Sequence, residues 1–263
     1  MTLKLKILSI AAILLLLFSC GKSNEKKKDA VIEKDSIPKV LADALEIASQ
    51  NSGKNKFQNK YKTSDNVEVE LNLDNHFTKN AAYLIIHRSD EGGILIDIYL
   101  KEGNKFKKIL SHDESPITYQ NDTIRDINGD GLKDFVVNWY GANGMNLKAY
   151  STVYLLKQDK KTFSKRFDFI NPTFSPEEKI IRGVCYGQSG ETDLYKEKWN
   201  GETTENVEFV SYEKNKNGKK TGKITITKEN SNDGKKVIKR LNSVPEEYTK
   251  IYGYDWFTGK GYQ

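Results

Sequence analysis

The densest run of oxygen ligands in the chain is Asp126-Ile127-Asn128-Gly129-Asp130-Gly131-Leu132-Lys133-Asp134. Counted from Asp126, oxygen-bearing side chains fall at positions 1, 3, 5 and 9, and a glycine falls at position 6. Alternate side chains of a tightly curled loop converge on one centre, provided that the sixth residue adopts a turn conformation that glycine tolerates. Calcium suits such a centre, being a hard cation that takes six to eight oxygens at about 2.3–2.6 Å. Asp126, Asn128, Asp130 and Asp134 are therefore candidate side-chain ligands, and Leu132 is a candidate through its backbone carbonyl. Three carboxylates held close together repel unless a cation lies among them. The same residue types also suit a solvated turn between two strands. A site filled by protein oxygens leaves little room for substrate. The expected role is thus structural, with an affinity on the order of 10⁻⁴–10⁻³ M.

The other reactive groups form no comparable pattern. The histidines are His76, His87 and His112, and none sits in a recognisable catalytic spacing. Cys185 lies in the strand-like run Ile181-Arg182-Gly183-Val184-Cys185-Tyr186 and reads as a small buried hydrophobe rather than a nucleophile. No paired acid and base emerges from spacing, so an enzyme is not expected.

Cys20 is the second cysteine, and its context is different. Lys4 and Lys6 precede an apolar run from Ile7 to Phe18, which is too short to span roughly 30 Å of hydrocarbon as a helix and reads as a signal peptide over residues 1–19. The ending Leu17-Phe18-Ser19-Cys20 resembles the lipobox of bacterial lipoproteins. That resemblance implies acylation of the Cys20 sulfur, cleavage before it, and anchoring in a lipid bilayer. By the sorting habit of Gram-negative lipoproteins, Gly21 in place of Asp after the cysteine favours the outer membrane. With Cys20 lipidated, Cys185 has no partner for an intramolecular disulfide.

Residues 20–35 follow as Lys, Glu, Ser and Asn with few apolar side chains, the composition of a flexible tether. The folded part is expected over 36–263. Val40, Leu41, Ala44, Leu45, Ile47 and Ala48 recur at helical spacing after Ser36-Ile37-Pro38, predicting one short amphipathic helix that ends near Gly53. Downstream the pattern turns to period two. Val67, Val69, Leu71 and Leu73 alternate, and further strands are predicted at 83–87, 94–100, 106–110, 118–125, 134–140, 149–157, 179–186, 193–199, 205–213, 223–229 and 235–241. Short antiparallel strands with polar turns imply an all-β fold: a β-sandwich, a barrel or a small irregular propeller. No internal period of 20 to 50 residues repeats, which disfavours a regular propeller.

Charge narrows the partners. Lys plus Arg number 42 against 36 Asp plus Glu, and the excess is scattered lysine without an Arg-rich stripe. Nucleic acid is therefore not an expected partner. Tyr248, Tyr252, Tyr254, Trp256, Phe257 and Tyr262 crowd the C-terminus, which suits either a partner surface or a tail packed on a sheet. The lysine runs 26–28 and 219–220 read as a tether and a solvated turn.

The acidic loop resembles those of EF-hands, dockerins and the FG-GAP repeats of integrin-like propellers. Its position 12 is Val137 instead of a bidentate Glu, and a strand follows at once, as in the FG-GAP type. Asp134 at position nine is then expected to take the bidentate role. A wider resemblance rests on Asn171-Pro172-Thr173-Phe174, Gly187-Gln188-Ser189-Gly190 and Tyr195-Lys196-Glu197-Lys198-Trp199. Together with the acidic loop these look like bacterial periplasmic lipoproteins similar to the inhibitors of i-type lysozyme, over roughly Asp122 to Tyr212. The resemblance implies an antiparallel β architecture and a partner of the lysozyme-like hydrolase or toxin class. It makes Ser189, Gly190 and Tyr195 candidate partner-binding residues. The family's inhibitory loop carries Ser-Gly-x-Tyr, whereas Ser189-Gly190 is followed here by Glu191-Thr192. Acidic residues at that place would repel the catalytic carboxylates of a glycosidase unless they point away. The two glycines also fit a plain hairpin turn.

Overall fold

A computed structural model describes residues 36–229 and 236–260. The segments expected as leader and tether, with Cys20, lie outside the described residues. Among the described residues no helix is long and apolar enough to cross a membrane.

Helix α1 (Ser36–Gln50) opens the fold. It stops three residues short of Gly53, where the Asn51 side chain donates to the Ile47 carbonyl at 2.9 Å and satisfies one of the open groups of the last turn. Val40, Ala44 and Ala48, spaced by four, form its buried stripe.

Three antiparallel meanders follow, each built from consecutive strands. Sheet one holds β1 (Phe57–Lys62), β2 (Glu68–Thr78), β3 (Ala81–Ser89), β4 (Ile94–Glu102) and β5 (Lys105–Glu114). Sheet two holds β6 (Tyr119–Arg125), β7 (Asp134–Tyr140), β8 (Ala149–Tyr154) and β9 (Phe167–Ile170). Sheet three holds β10 (Pro172–Ser175), β11 (Ile180–Val184), β12 (Leu194–Asn200), β13 (Thr203–Lys214), β14 (Lys220–Thr227) and β15 (Val237–Leu241). A short C-terminal helix α2 (Tyr254–Thr258) ends the described chain. Among the described residues no sheet closes on itself, so the all-β sandwich architecture holds and the barrel alternative does not.

The sheets stack, and strand parity decides which neighbour each side chain meets. Along β3, Leu84 and Ile86 join Val69, Leu71 and Leu73 beneath α1, while Tyr83 and Ile85 point the other way and meet Phe135 and Val137 of β7. Along β7, Val136 alternates to the far side and packs with Ile181, Tyr195 and Trp199 of sheet three. The outer face of sheet three carries Val184, Leu194, Val210 and Ile224, covered by Tyr248, Ile251, Trp256 and Phe257. Of the C-terminal aromatics, Tyr248, Tyr254, Trp256 and Phe257 thus pack on a sheet, Tyr252 is exposed, and Tyr262 lies outside the described residues. Sheet two is buried on both faces, which is why Phe135-Val136-Val137 is continuously apolar instead of alternating.

Strands β1, β9 and β10 and helix α2 were not expected from periodicity. Edge strand β1 is only half-buried along its length, and β9 and β10 have four residues each, too few to display a period. Between the last two, Asn171 adopts a left-handed φ of 47° and passes the chain from sheet two to sheet three.

Candidate metal loop and partner face

The acidic loop joins β6 to β7 at one end of the central sheet. Its side chains organise its own backbone. Asp126 accepts the amides of Gly129 at 2.7 Å and Gly131 at 2.9 Å. Asn128 Oδ1 accepts the Asp130 amide at 3.1 Å, and Asp130 Oδ1 accepts the Leu132 amide at 2.9 Å. The second oxygen of Asp130 takes the Gln158 amide group at 3.1 Å. Asp134 is fully buried, and its two oxygens accept the amides of Ile127 and Leu156, each at 2.9 Å. Gly129 and Gly131 have φ of 72° and 85°, the left-handed region that the curl of the loop requires.

The loop also joins the layers. Ile127 packs between sheets two and three, whereas Leu132 packs on the cluster between sheets one and two. A Cβ placed on Gly129 would fall 2.1 Å from the Pro176 carbonyl oxygen, in the turn that links β10 to β11.

The donors fit a hard cation in type and order. Each carboxylate oxygen that accepts one amide keeps further acceptor capacity. Burial pushes the Asp134 carboxyl up to about 7; the Ile127 and Leu156 amides oppose that rise, and the charges of Asp130 and Asp126 add to it. A cation at the loop would reverse that penalty. Among the described residues, however, no three His, Cys, Asp or Glu side chains are grouped closely enough to hold an ion. Hydrogen bonds to backbone amides set the loop's shape, and the carboxylates would need to rotate inward to coordinate.

The second predicted site is the connection from β11 to β12. Ser189 is half-buried and Gly190 is buried. The connection is held from behind by the C-terminal segment: Gly190 donates its amide to the Trp256 carbonyl at 2.7 Å, and Trp256 Nε1 donates to the Gly187 carbonyl at 2.9 Å. Lys220 donates to the Gly190 carbonyl and lies 4.2 Å from the Tyr212 ring centroid, and Tyr212 stacks on Phe257 at 4.8 Å. Glu191 turns toward sheet three, where Lys214 Nζ lies at 2.5 Å and Lys220 Nζ at 3.7 Å. Lys214 holds the Glu191 carboxyl below its ordinary range.

Tyr195 is placed differently from the expectation. It is 5% exposed and donates its hydroxyl to the Ile170 carbonyl at 2.8 Å, so it belongs to the core between sheets two and three and presents nothing to a partner. Its ring occupies the space above Gly183, where a Cβ would come within 2.4 Å of it. The exposed tyrosine of this region is Tyr186. Cys185 is half-buried rather than fully buried, packed against the cluster between sheets two and three; desolvation, with Asp193 and Glu197 nearby, pushes its thiol up to about 12 and keeps it neutral.

Two arrangements were not foreseen from the sequence. Asn171 was read only as part of a turn, yet its side chain accepts the Ala149 amide at 2.9 Å and donates to the carbonyls of Leu147 at 3.2 Å and Val184 at 2.9 Å, bridging sheets two and three. His87 Nε2 lies 2.8 Å from Asp122 Oδ2, which also accepts the Tyr119 hydroxyl at 2.6 Å, closing the polar end of the interface between sheets one and two. No spacing in the sequence links residues 87 and 122.

Comparison with known proteins gives no match to a family model, to a curated protein or to a solved structure. The resemblance to the lysozyme-inhibitor lipoproteins therefore rests on the motif residues themselves.

Proposed function

We propose that the chain is an envelope protein anchored through acylated Cys20, in the outer membrane of a Gram-negative cell. Its β module binds a lysozyme-like hydrolase or toxin, in an inhibitor or immunity role, without catalysis of its own. A calcium ion held by Asp126, Asn128, Asp130, Asp134 and the Leu132 carbonyl would brace the connection where all three sheets meet.

The observation that supports this reading best is the electrostatics of the β11–β12 connection. Glu191, the acidic residue that would repel a glycosidase cleft, is turned away and neutralised by Lys214 and Lys220. Ser189 is half-buried, its hydroxyl donating to the Trp256 carbonyl at 3.4 Å, on a connection already fixed by Trp256. A loop that is rigid before binding loses little entropy on docking.

The test is a muramidase assay with the soluble, unlipidated chain from residue 21 to 263 and its Ser189→Arg variant. Inhibition by the parent and loss of inhibition in the variant are expected. If no hydrolase is inhibited and none is retained on the immobilised protein, the reading fails. Tyr186 and Tyr252, 60% and 49% exposed, support a second reading in which the protein holds glycan or other envelope components through aromatic contacts. Retention on peptidoglycan without any protein partner would favour it.

A further inference from the structure

The turn between β2 and β3, the acidic loop and the turn that follows β8 enclose a concavity of about 390 Å³. Phe77 and Leu132, both members of the core between sheets one and two, line it. Each of the three connections contributes one lysine to the wall: Lys79, Lys133 and Lys160. All three are exposed, and among the described residues none takes part in an ion pair, unlike the lysines that pair with Asp74, Asp97, Glu191 and Glu202.

Among the described residues, no carboxylate of the adjoining turns forms an ion pair with these lysines. Asp126 and Asp130 are turned to loop amides and Gln158, and Asp159 accepts the amides of Lys161 and Thr162 together with the Thr162 hydroxyl. The wall at Lys160 is fixed. Its φ is 56°, and its carbonyl accepts the hydroxyl of the fully buried Tyr83 at 2.9 Å. At the edge of the concavity, burial holds the His76 imidazole below its ordinary value; the Asn72 carbonyl and the Asp74 charge oppose that shift, and Lys133 adds a smaller depression. Three like charges brought to one concavity from separate connections repel, and an anion seated among them converts the repulsion into attraction.

We propose that this pocket binds a small oxyanion of phosphate or sulfate-ester chemistry. Its volume falls in the size range of small-molecule sites, roughly 300–1,000 Å³, so it leaves room for an organic group carrying the anion. The anion could arrive as free phosphate or as the phosphodiester of a lipid headgroup, and two probes separate these sources.

The full-length chain in an uncharged detergent is titrated calorimetrically with inorganic phosphate and, separately, with glycerophosphoglycerol at low ionic strength. Saturable binding is expected, weakened by added salt because the lysines are solvent-facing. Each of Lys79→Gln, Lys133→Gln and Lys160→Gln should weaken it about fivefold, and the triple variant should abolish it. Tighter binding of phosphate identifies the free anion; tighter binding of the diester identifies a headgroup. These side chains are exposed, so the triple variant should melt like the parent, and that measurement excludes misfolding as the cause of lost binding. If neither probe binds, or if a folded triple variant binds as the parent does, the proposal is overturned. Muramidase inhibition depends on Ser189 at another connection and reports separately.

Discussion

The carbonyl oxygen of Pro176 sits where the side chain of any residue other than glycine at position 129 would begin, 2.1 Å from an ideal Cβ. This close approach joins the acidic loop of sheet two to the β10–β11 turn of sheet three, and backbone rather than a flexible side chain forms the contact. Gly129→Ala must displace one of the two. A cost of about 1–3 kcal/mol from overpacking is expected, in addition to about 1–2 kcal/mol for an L-residue in the left-handed region. Gly131→Ala meets nothing within 4 Å and carries only the conformational part. Urea unfolding in the presence of chelator should therefore rank Gly129→Ala well below Gly131→Ala in stability. Equal losses would mean that the contact with Pro176 yields freely.

Calcium should raise the melting temperature, since an ion that binds only the folded state stabilises it by mass action. At tenfold over its dissociation constant the gain is about 1.4 kcal/mol. Asp130→Ala removes a proposed ligand and should abolish the shift. A shift of equal size in the variant would place the ion elsewhere. Asp134 carries a second consequence: Asp134→Asn removes the buried carboxyl crowded by Asp130 and Asp126, so it should lower the calcium-dependent gain.

Asn171 holds the Ala149 amide and the carbonyls of Leu147 and Val184 from a fully buried position. Asn171→Ala leaves buried groups without their partners at about 1–3 kcal/mol each, so a total loss of at least about 3 kcal/mol is expected. Asn171→Gly relaxes the left-handed backbone but loses the same hydrogen bonds, and it should fall between the parent and the alanine variant. An alanine variant within about 1 kcal/mol of the parent would show that this side chain does not join the sheets.

Acid should weaken the fold in two steps. His112 is 2% exposed, and burial, reinforced by the charge of Arg166, holds its imidazole below the ordinary range; His76 is shifted the same way by burial. The unfolded chain protonates these rings near pH 6.5, above their folded values. Their stabilising contribution is therefore complete above about pH 6.5 and is lost as pH falls toward the folded values. Burial tends to raise the Asp122 carboxyl, but the contacts from His87 and Tyr119 leave it below its ordinary value. That contribution survives down to about pH 4 and disappears only in stronger acid. Asp134 acts with the opposite sign, since its carboxyl, raised to about 7, gains a proton in the folded state first and adds stability as pH falls. In an Asp134→Asn background, unfolding midpoints measured from pH 7.5 to pH 5 should therefore decline, and flatten when His76→Gln and His112→Gln are added. An unchanged slope would assign the acid sensitivity to other groups.

Much of the local structure was legible in the sequence, because helix and strand periods are properties of neighbouring residues. The stripe of Val40, Ala44 and Ala48, the alternation of Val67, Val69, Leu71 and Leu73, and the turn glycine Gly131 at position six of the acidic loop could all be read directly. Edge strand β1 and four-residue β9 and β10 escaped because so few side chains repeat within them. The assignment of strands to three stacked sheets, the inward turn of Tyr195, the hold of Trp256 on Gly187 and Gly190, and the meeting of Lys79, Lys133 and Lys160 were decided by tertiary structure alone. Each depends on which sheet faces cover one another, and burial across layers acts between residues tens of positions apart, where a one-dimensional period carries no information.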